Sequence, residues 1–347
     1  MRKRMRAVLA NRGREAAPLP DTDSWPLGSP FRIGGVEIAN RVIQAPLAGI
    51  ANWAYRTQSR RHGAGATVSE MLASQGLIHD SRKTRDMLVV KPDEHPVGVQ
   101  LFGADPEAMA RAAREVEQAG ADFVDINMGC PVKKICRTGA GAALLADPGG
   151  GARVVEAMTA AVDIPVTVKM RRGTTPATAQ PTIAARRFVD AGAAAICFHP
   201  RAAAEEYDGL ADHTITREVV DAVEVPVIAS GDINDPATAL EVMRSTGCQA
   251  VAVGRGALGN PWLFTALATG EIGDPPGPAE VISELERFAA DACEALGEAR
   301  ACPYLRKFYP WYLAPLPVSK AELQAMLTAP TVDDALGAVR DLVASAA

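Results

Sequence analysis

The sequence has few aromatic residues, no excess of positive charge and no long apolar run. Phe, Trp and Tyr together make up 5% of the 347 residues, and the formal net charge is -5. No apolar run is long enough to cross a bilayer, and the basic first residues are not followed by the apolar core of a signal peptide. We therefore expect a cytoplasmic protein, in which any binding of nucleic acid depends on a local basic patch.

The six cysteines are scattered and never form the C-x-x-C spacing. This argues against a zinc site, an iron–sulfur cluster or a disulfide framework, so we expect reduced thiols. The predicted strand ends also lack a spaced set of His, Asp and Glu ligands, which makes a metal-dependent hydrolase the least favoured enzyme class. No metal is expected.

Eight apolar, β-branched segments alternate with segments of helical periodicity. The predicted strands are residues 41–45, 66–70, 97–101, 123–127, 166–169, 195–198, 225–229 and 250–253. The clearest helical segments are residues 106–118, 141–161, 182–190 and 236–244, and Asp-Pro or Asn-Pro pairs at 105–106, 147–148, 235–236 and 260–261 provide N-caps. Eight such units predict an α/β fold, a closed (β/α)8 TIM barrel with its active site at the carboxyl ends of the strands. An open, doubly wound sheet is the alternative.

Composition divides the rest of the chain. We expect residues 1–25 to form a flexible basic tail and residues 26–269 to form the barrel. Residues 270–278 are rich in Gly and Pro and predict a linker. From 279 to 347 only helical patterns remain, at 280–296, 301–313, 319–328 and 331–344, which predict a small helical bundle.

Cys130 follows the fourth predicted strand in a turn between Gly129 and Pro131. Such a turn presents the thiol at the mouth of a barrel, whereas an inert cysteine would more often lie within the core. Lys133 and Lys134 come next, and their charge favours both a thiolate and an anionic substrate such as a nucleic-acid backbone. The turn is the candidate catalytic element.

Polar residues end several of the other predicted strands. The small-residue turn after the first strand, at Pro46, Leu47 and Ala48, can lie against a flat ligand. Each polar residue also has a structural explanation on its own, but their common position at strand ends favours a site. These residues are Gln100, Asn127, Lys169, Arg171, His199 and Arg201.

The last two strands end in turns suited to phosphate. Ser230, Gly231 and Asp232 follow the seventh strand, and Gly254 and Arg255 follow the eighth. Barrels commonly bind phosphate at this place, through glycine amides, a cation and the N-terminus of a helix. A cofactor that carries a phosphate is therefore expected.

These motifs together resemble the tRNA-dihydrouridine synthases, in order along the chain from about residue 30 to 263. The specific part is Asn127-x-Gly129-Cys130-Pro131-x-Lys133-Lys134, and a weaker likeness to the bacterial B-type branch continues into the bundle. The motifs are Pro46-Leu47-Ala48-Gly49, Val99-Gln100-Leu101-Phe102-Gly103, Val168-Lys169-Met170-Arg171, His199-x-Arg201, Gly231-Asp232-Ile233, Gly254-Arg255-Gly256 and Leu305-Arg306-Lys307.

The resemblance implies an FMN-dependent enzyme that uses NADPH to reduce the C5–C6 double bond of uridines in tRNA. In that mechanism the flavin N5 delivers hydride to C6, and Cys130 donates the proton to C5. Asn127 would orient a flipped uracil. The implied FMN contacts are Pro46, Leu47, Ala48, Gln100, Lys169, His199, Ser230, Gly231, Asp232, Gly254 and Arg255. The implied contacts to tRNA are Asn127, Lys133, Lys134, Arg171, Arg201, Arg306 and Lys307, and residues 279–347 would be the tRNA-binding domain of a monomer.

Two departures from the family pattern stand out. Ser230 replaces the Asn of a frequent Asn-Gly-Asp motif, and Ala202 follows Arg201 where the family often has an Arg-Thr pair. The bundle is also net acidic, so affinity for RNA would come from a patch that includes Lys133 and Lys134.

Two other functions remain open at the level of sequence. An FMN barrel that reduces a free pyrimidine or enone would share the flavin site but would need neither the lysine pair nor the bundle. An RNA-binding barrel without catalysis would need neither Cys130 nor Lys169.

Overall fold

The computed structural model describes residues 25–346. Residues 1–24 of the predicted tail lie outside the described residues. Trp25, its last residue, belongs to the barrel instead: it is buried, and its Nε1 donates a hydrogen bond to the carbonyl of Leu267 at 2.7 Å. Packing and the hydrogen bond both fix the position of this indole. The basic residues before it in the sequence did not suggest that it would be buried.

The barrel is closed and its strands are parallel. Thr67 in the second barrel strand pairs with Val97 in the third, which closes the sheet into a ring and excludes an open sheet. All eight predicted strands are confirmed. They are β3 (Val42–Gln44), β4 (Ala66–Val68), β6 (Val97–Phe102), β7 (Phe123–Met128), β8 (Val166–Arg171), β9 (Ala195–His199), β10 (Val227–Ser230) and β11 (Ala250–Val253), with a short strand β5 (Leu72–Ala73) beside β6.

A hairpin that the sequence did not predict precedes the barrel. Its strands are β1 (Phe31–Ile33) and β2 (Val36–Ile38), which pair antiparallel. The turn lies against Pro165 and Ala194, the residues just before β8 and β9, so the hairpin covers the amino-terminal end of the barrel. The opposite end is left for the site.

The barrel helices follow the predicted order. The helix predicted at 141–161 is divided into a 3-10 turn at Gly141–Ala146 and a helix from Pro148, since proline cannot donate the hydrogen bond that would continue the first segment. The α-helices are α1 (Trp53–Arg61), α2 (Ser74–Ile78), α3 (Arg82–Met87), α4 (Pro106–Gln118), α5 (Lys133–Cys136), α6 (Pro148–Thr159), α7 (Pro181–Asp190), α8 (His213–Val220), α9 (Pro236–Thr246) and α10 (Trp262–Thr269).

Two of the four predicted N-caps form. Asp105 accepts a hydrogen bond from the backbone of Glu107, and Asp235 accepts one from Thr238. Asp147 makes no such bond, and the helix predicted from Asn260 starts two residues later. An Asp-Pro or Asn-Pro pair therefore predicts the first residue of a helix to within two residues. It does not predict whether the Asp or Asn side chain caps that helix.

The C-terminal helices are α11 (Pro278–Leu296), α12 (Glu298–Leu305), α13 (Tyr309–Tyr312), α14 (Lys320–Thr328) and α15 (Val332–Ala346). The single helix predicted at 301–313 is two helices, because Pro310 has no N–H to donate to the carbonyl of Arg306. No helix in the described part of the chain has the length and apolar character needed to span a membrane.

The bundle packs on helix α1 of the barrel. Tyr55 of α1 lies 6.4 Å from Phe288 and 6.1 Å from Phe308, ring centre to ring centre. Arg61 forms an ion pair of 2.7 Å with Asp291, which places an acidic residue of α11 against the barrel. Part of the negative charge of the bundle therefore lies at its contact with the barrel, where an arginine pairs with it.

Candidate active site

A pocket of about 1010 Å³, counted with its opening to solvent, lies at the carboxyl ends of the strands. It contains most of the residues for which a cofactor contact was predicted. Ala48 is exposed outside it, and Gln100 is buried beneath it. The predicted residues that line it are Pro46, Leu47, Lys169, His199, Ser230, Gly231, Asp232, Gly254 and Arg255, together with Arg201.

Two glycines keep backbone open at the end of the pocket formed by β10 and β11. Gly231 has φ of +117°, and a Cβ there would lie 2.7 Å from the ring of His199. A Cβ at Gly256 would lie 2.8 Å from Oδ1 of Asn234. A side chain at either position would collide with these protein atoms, so the close packing of the two turns requires glycine and leaves their backbone at the wall of the pocket.

Arg201 is directed into this end of the pocket. Its guanidinium is 3% exposed and donates to both carboxylate oxygens of Asp232, at 2.6 and 3.1 Å. It also donates to the carbonyls of Asp208 and Gly209. The neighbouring strand end therefore holds the Arg201 side chain at the wall of the pocket, and its expected contact with RNA stays a prediction.

Arg255 supplies a second cation. Its guanidinium lies 4.0 Å above the ring of Tyr207, and its side chain is 30% exposed. Arg255 also lies 4.0 Å from Asp232, so two guanidinium groups and one carboxylate give this end of the pocket a net positive charge. Tyr207 was not predicted, since the sequence around it departs from the family pattern.

His199 is a neutral imidazole in this site. It is 7% exposed, and Arg201 Nη1 lies 3.2 Å from its Nε2. Burial lowers the pKa of His199 well below its usual range, and Lys169, Arg171 and the other arginines lower it further. The ring can donate or accept a hydrogen bond but carries no charge at neutral pH.

A chain of hydrogen bonds runs beneath Cys130. Thr167 Oγ1 and Gln100 Nε2 each donate to Asp125 at 2.6 Å. Asn127 Nδ2 donates to Gln100 Oε1 at 2.7 Å, and Asn127 Oδ1 accepts from the backbone N–H of Cys130 at 2.9 Å. Gln100, predicted to contact a flavin, instead has both amide atoms engaged by its neighbours.

Asp125 is a site residue that the sequence did not identify. It lies two residues before Asn127 on β7, so both side chains point to the same face of the strand. Its carboxylate is 3% exposed, and burial raises its pKa to about 6 against the opposing effect of Gln100, Thr167 and Lys169. The available signal was an acidic residue inside an otherwise apolar strand.

Cys130 is a free, half-buried thiol. Burial raises its pKa, while a hydrogen bond from the backbone of Val132 and the charge of Arg171 act in the opposite direction. The prediction that Lys133 and Lys134 lower this pKa is wrong, because both are exposed on the short helix α5 and the nearby cation is Arg171. The thiol is therefore protonated at neutral pH.

A glycine fixes the turn that carries this thiol. Gly141 has φ of +63°, and a Cβ there would lie 2.8 Å from the carbonyl oxygen of Cys130. The same oxygen accepts a hydrogen bond from the backbone of Ala142 at 3.1 Å. The position of the thiol is thus set from two directions, by Asn127 and by residues 141–142.

The predicted basic patch is smaller than expected. Lys133, Lys134 and Arg137 are exposed beside the Cys130 turn. Arg171 is 3% exposed and donates to the carbonyl of Ala202, and Arg306 donates to a carbonyl within the bundle at 2.9 Å. Arg171 and Arg306 therefore each bind a carbonyl of the protein itself.

The bundle contacts the turn after β3. Lys307 Nζ donates to the carbonyl of Gly49 at 2.8 Å, and Tyr304 OH donates to that of Ile50 at 2.7 Å. Glu70, another residue missed at the sequence level, accepts from the backbone of Gly49 at 2.7 Å. Pro46 and Leu47 of the same turn line the pocket, so the bundle helps to hold that wall.

Metal ligands are not grouped in this region. Among the residues that the structure describes, no cluster of His, Cys, Asp and Glu has the arrangement needed to hold a metal ion.

Solved structures of low sequence identity share the fold. Histamine dehydrogenase from Rhizobium sp. 4-9 matches with a TM-score of 0.57 and 14% identity, over 78% of this chain and 51% of that protein. A variant of morphinone reductase in complex with tetrahydroNAD matches with a TM-score of 0.51 and 15% identity, over 73% of this chain and 93% of that protein. These similarities support the barrel fold alone.

Closer relatives are found by sequence. The chain is 39% identical over 293 residues to tRNA-dihydrouridine synthase B of Pseudomonas aeruginosa, covering 83% of this chain and 88% of that protein. It is 40% identical over 288 residues to tRNA-dihydrouridine synthase B of Escherichia coli (strain K12), covering 82% and 89%. The family model described as dihydrouridine synthase matches residues 43–341. With this extent of similarity and a barrel whose mouth presents Cys130, the chain belongs to the dihydrouridine synthase family of oxidoreductases.

Proposed function

We propose that the protein is an FMN-dependent tRNA-dihydrouridine synthase that reduces the C5–C6 double bond of uridines in tRNA, with NADPH as the reductant and Cys130 as the proton donor. The observation that carries the proposal is the free thiol of Cys130 in the turn after β7, at the same end of the barrel as a pocket lined by glycines and cations. The names of the relatives, tRNA-dihydrouridine synthase B, support the substrate.

The residues of the pocket fit FMN. Gly231 and Gly256 line the end of the pocket at which a phosphate group would lie, and Arg255 would contribute positive charge there. Pro46 and Leu47 form an apolar wall opposite Lys169 and would lie against the flat ring system. A cation suits the electron-rich edge of a reduced ring, so Lys169 is the candidate for that contact. Gln100 would act from beneath, through its neighbours.

FMN reduced by NADPH supplies the hydride for C6 of the uracil. The protein's own residues provide the rest of the chemistry. The thiol of Cys130 donates the proton to C5, and its raised pKa keeps that proton in place until a basic carbon develops next to it. Asn127 holds the backbone of Cys130, so the donor stays in one position.

Binding of tRNA is assigned to a surface that spans both parts of the chain. Lys133 and Lys134 lie beside the Cys130 turn and would contact backbone phosphates next to the flipped uridine. Lys307 of the bundle lies against Gly49 on the opposite wall. We assign residues 26–269 to FMN and the reaction and residues 279–347 to the docking of tRNA, in a monomer that acts in the cytoplasm.

The test is the analysis of tRNA that lacks dihydrouridine after incubation with the purified protein, FMN and NADPH. Nucleoside mass spectrometry should detect dihydrouridine, and the protein should release FMN on denaturation. Free uridine is the matched control substrate. Oxidation of NADPH with free uridine but not with tRNA would overturn the proposal and favour a reductase of small molecules.

A further inference from the structure

In the hydrogen-bonded chain beneath Cys130, only one side chain cannot exchange the roles of donor and acceptor. A carboxylate can only accept hydrogen bonds, whereas the amides of Gln100 and Asn127 can each be turned to present either oxygen or nitrogen. Asp125 is that carboxylate, and it lies at one end of the chain. The backbone N–H of Cys130, which can only donate, lies at the other.

These two ends fix the orientation of both amides. Because Asp125 accepts, Gln100 presents Nε2 to it and leaves Oε1 for Asn127. Asn127 then presents Nδ2 to Gln100 and leaves Oδ1 for Cys130. If Asp125 were a donor, both amides would turn over and Asn127 would present N–H to N–H at Cys130. The chain would then no longer hold the turn.

We propose that Asp125 is a positioning residue for Cys130: its carboxylate sets the direction of the hydrogen bonds through Gln100 and Asn127 and so fixes the turn that carries the thiol. The catalytic consequence rests on the proposed function, whereas the structural part does not. Three successive hydrogen bonds separate Asp125 from the backbone of Cys130, so it acts through the two amides.

The surroundings of Asp125 support this role. Gln100 on β6 is 1% exposed and Asp125 is 3% exposed, so solvent does not compete for the bonds between them. The other groups facing the carboxylate are Thr167 and Lys169 on β8 and the thiol of Cys197 on β9. A carboxylate that served only to balance the charge of Lys169 would not require the two ordered amides.

The first test measures alkylation of Cys130 by iodoacetamide in the purified full-length protein, followed by peptide mass spectrometry. Asp125→Asn keeps the shape of the side chain but replaces a group that can only accept by an amide that can also donate to Gln100, so the direction of the chain is no longer fixed. We expect labelling of Cys130 to become about 5-fold faster or more, as for the loss of one net hydrogen bond. Cys293 on α11 is the internal reference. Asp190→Asn, at the exposed end of α7, is the matched control and should leave the rate unchanged.

A compensating pair tests the direction itself. In the double variant Asp125→Asn with Gln100→Glu, the carboxylate moves to position 100 and accepts from both sides, so Asn127 regains its original orientation. We expect its Cys130 labelling rate to return to within about 2-fold of the unmodified protein. Thr167→Val removes a hydrogen bond to Asp125 without reversing any other hydrogen bond. Its Cys130 labelling rate should also stay within about 2-fold of that of the unmodified protein.

Several results would overturn the proposal. Unchanged labelling of Cys130 in Asp125→Asn would do so, and so would a double variant that labels as fast as the single one. If the Asp125→Asn chain does not fold, the double variant decides alone: a folded protein with slow labelling supports the proposal, and failure to fold contradicts it.

Activity gives a second, separable readout. In Asp125→Asn we expect kcat for dihydrouridine formation to fall by about 100-fold, as for a misplaced catalytic group, with KM for tRNA and the bound flavin unchanged. If the unmodified protein forms no dihydrouridine, the proposed function fails while the labelling results still stand. A loss of activity without a change in labelling would show that Asp125 acts by another route and would overturn the inference.

Discussion

The carboxyl ends of the barrel strands bury charged and amide side chains, whereas the C-terminal bundle buries aromatic rings. Asp125 and Arg201 are each 3% exposed, while Phe288, Phe308 and Tyr312 are fully buried. Buried polar groups stabilise a fold little, because desolvation offsets their interactions. Packed rings stabilise it directly. We therefore expect the bundle core to contribute more to stability than the mouth, and the mouth to contribute more to function.

The largest effect on stability is expected in the bundle core. Phe288 contacts the rings of Tyr55, Tyr304, Phe308 and Tyr312. Replacing it by Ala should lower the free energy of unfolding by about 3–5 kcal/mol, through lost burial and the cavity left behind. Denaturant unfolding of the full-length chain measures this. A loss below about 1 kcal/mol would mean that the bundle contributes little to the stability of the chain.

At the mouth, stability should depend on pH through Asp125. Its pKa is raised from 3.8 to about 6, so the folded state favours the protonated carboxyl. This contribution to stability is fully present below pH 3.8 and is lost as the pH rises through 6, by about 3 kcal/mol in all. The free energy of unfolding, measured relative to Asp125→Asn, should fall between pH 4 and pH 7. A difference that stays constant would contradict the raised pKa.

The anion end of the pocket should affect cofactor affinity rather than folding. Arg255→Ala removes a charged donor, and we expect FMN to bind about 10- to 100-fold more weakly. Equilibrium titration of the apoprotein with FMN measures the change. Arg244→Ala, at the exposed end of α9, is the control and should bind FMN normally. Equal affinity in both variants would show that the phosphate group lies elsewhere.

The smallest expected effect is on the binding of tRNA, to which the barrel mouth and the bundle should contribute differently. Lys133 and Lys134 are exposed, so replacing both by Ala should reduce the slope of log affinity against log salt by about 1 to 2. Arg306 is held by a carbonyl of the bundle, so Arg306→Ala should leave the slope unchanged. The reverse result would move the main contacts with tRNA to the bundle.

The sequence predicted the barrel because its strands are buried on both sides and therefore appear as continuous apolar runs. The hairpin of β1 and β2 was missed because its strands have only three residues each. The break before Tyr309 was missed although Pro310 was visible, since helical periodicity continues across it. Short elements and interruptions leave too few residues to form a pattern.

Site residues whose position follows from the end of a strand were predicted. Site residues whose position depends on which residue lies opposite on the next strand were missed. Lys169 and His199 follow from the ends of strands, and both line the pocket. Asp125 could not be assigned without the register that brings Gln100 opposite it. The pairing of Arg201 with Asp232 was not predicted either, because a sequence gives the end of a strand but not the direction of a long side chain.

The central claim is that the thiol of Cys130, held in place by the barrel mouth, donates the proton to the uracil. The most direct measurement is a single turnover of the reduced protein with unmodified tRNA, which compares the intact chain with Cys130→Ala. The account predicts equal FMN content in the two proteins and dihydrouridine only with the intact thiol. Equal yields and rates of dihydrouridine in both would contradict it.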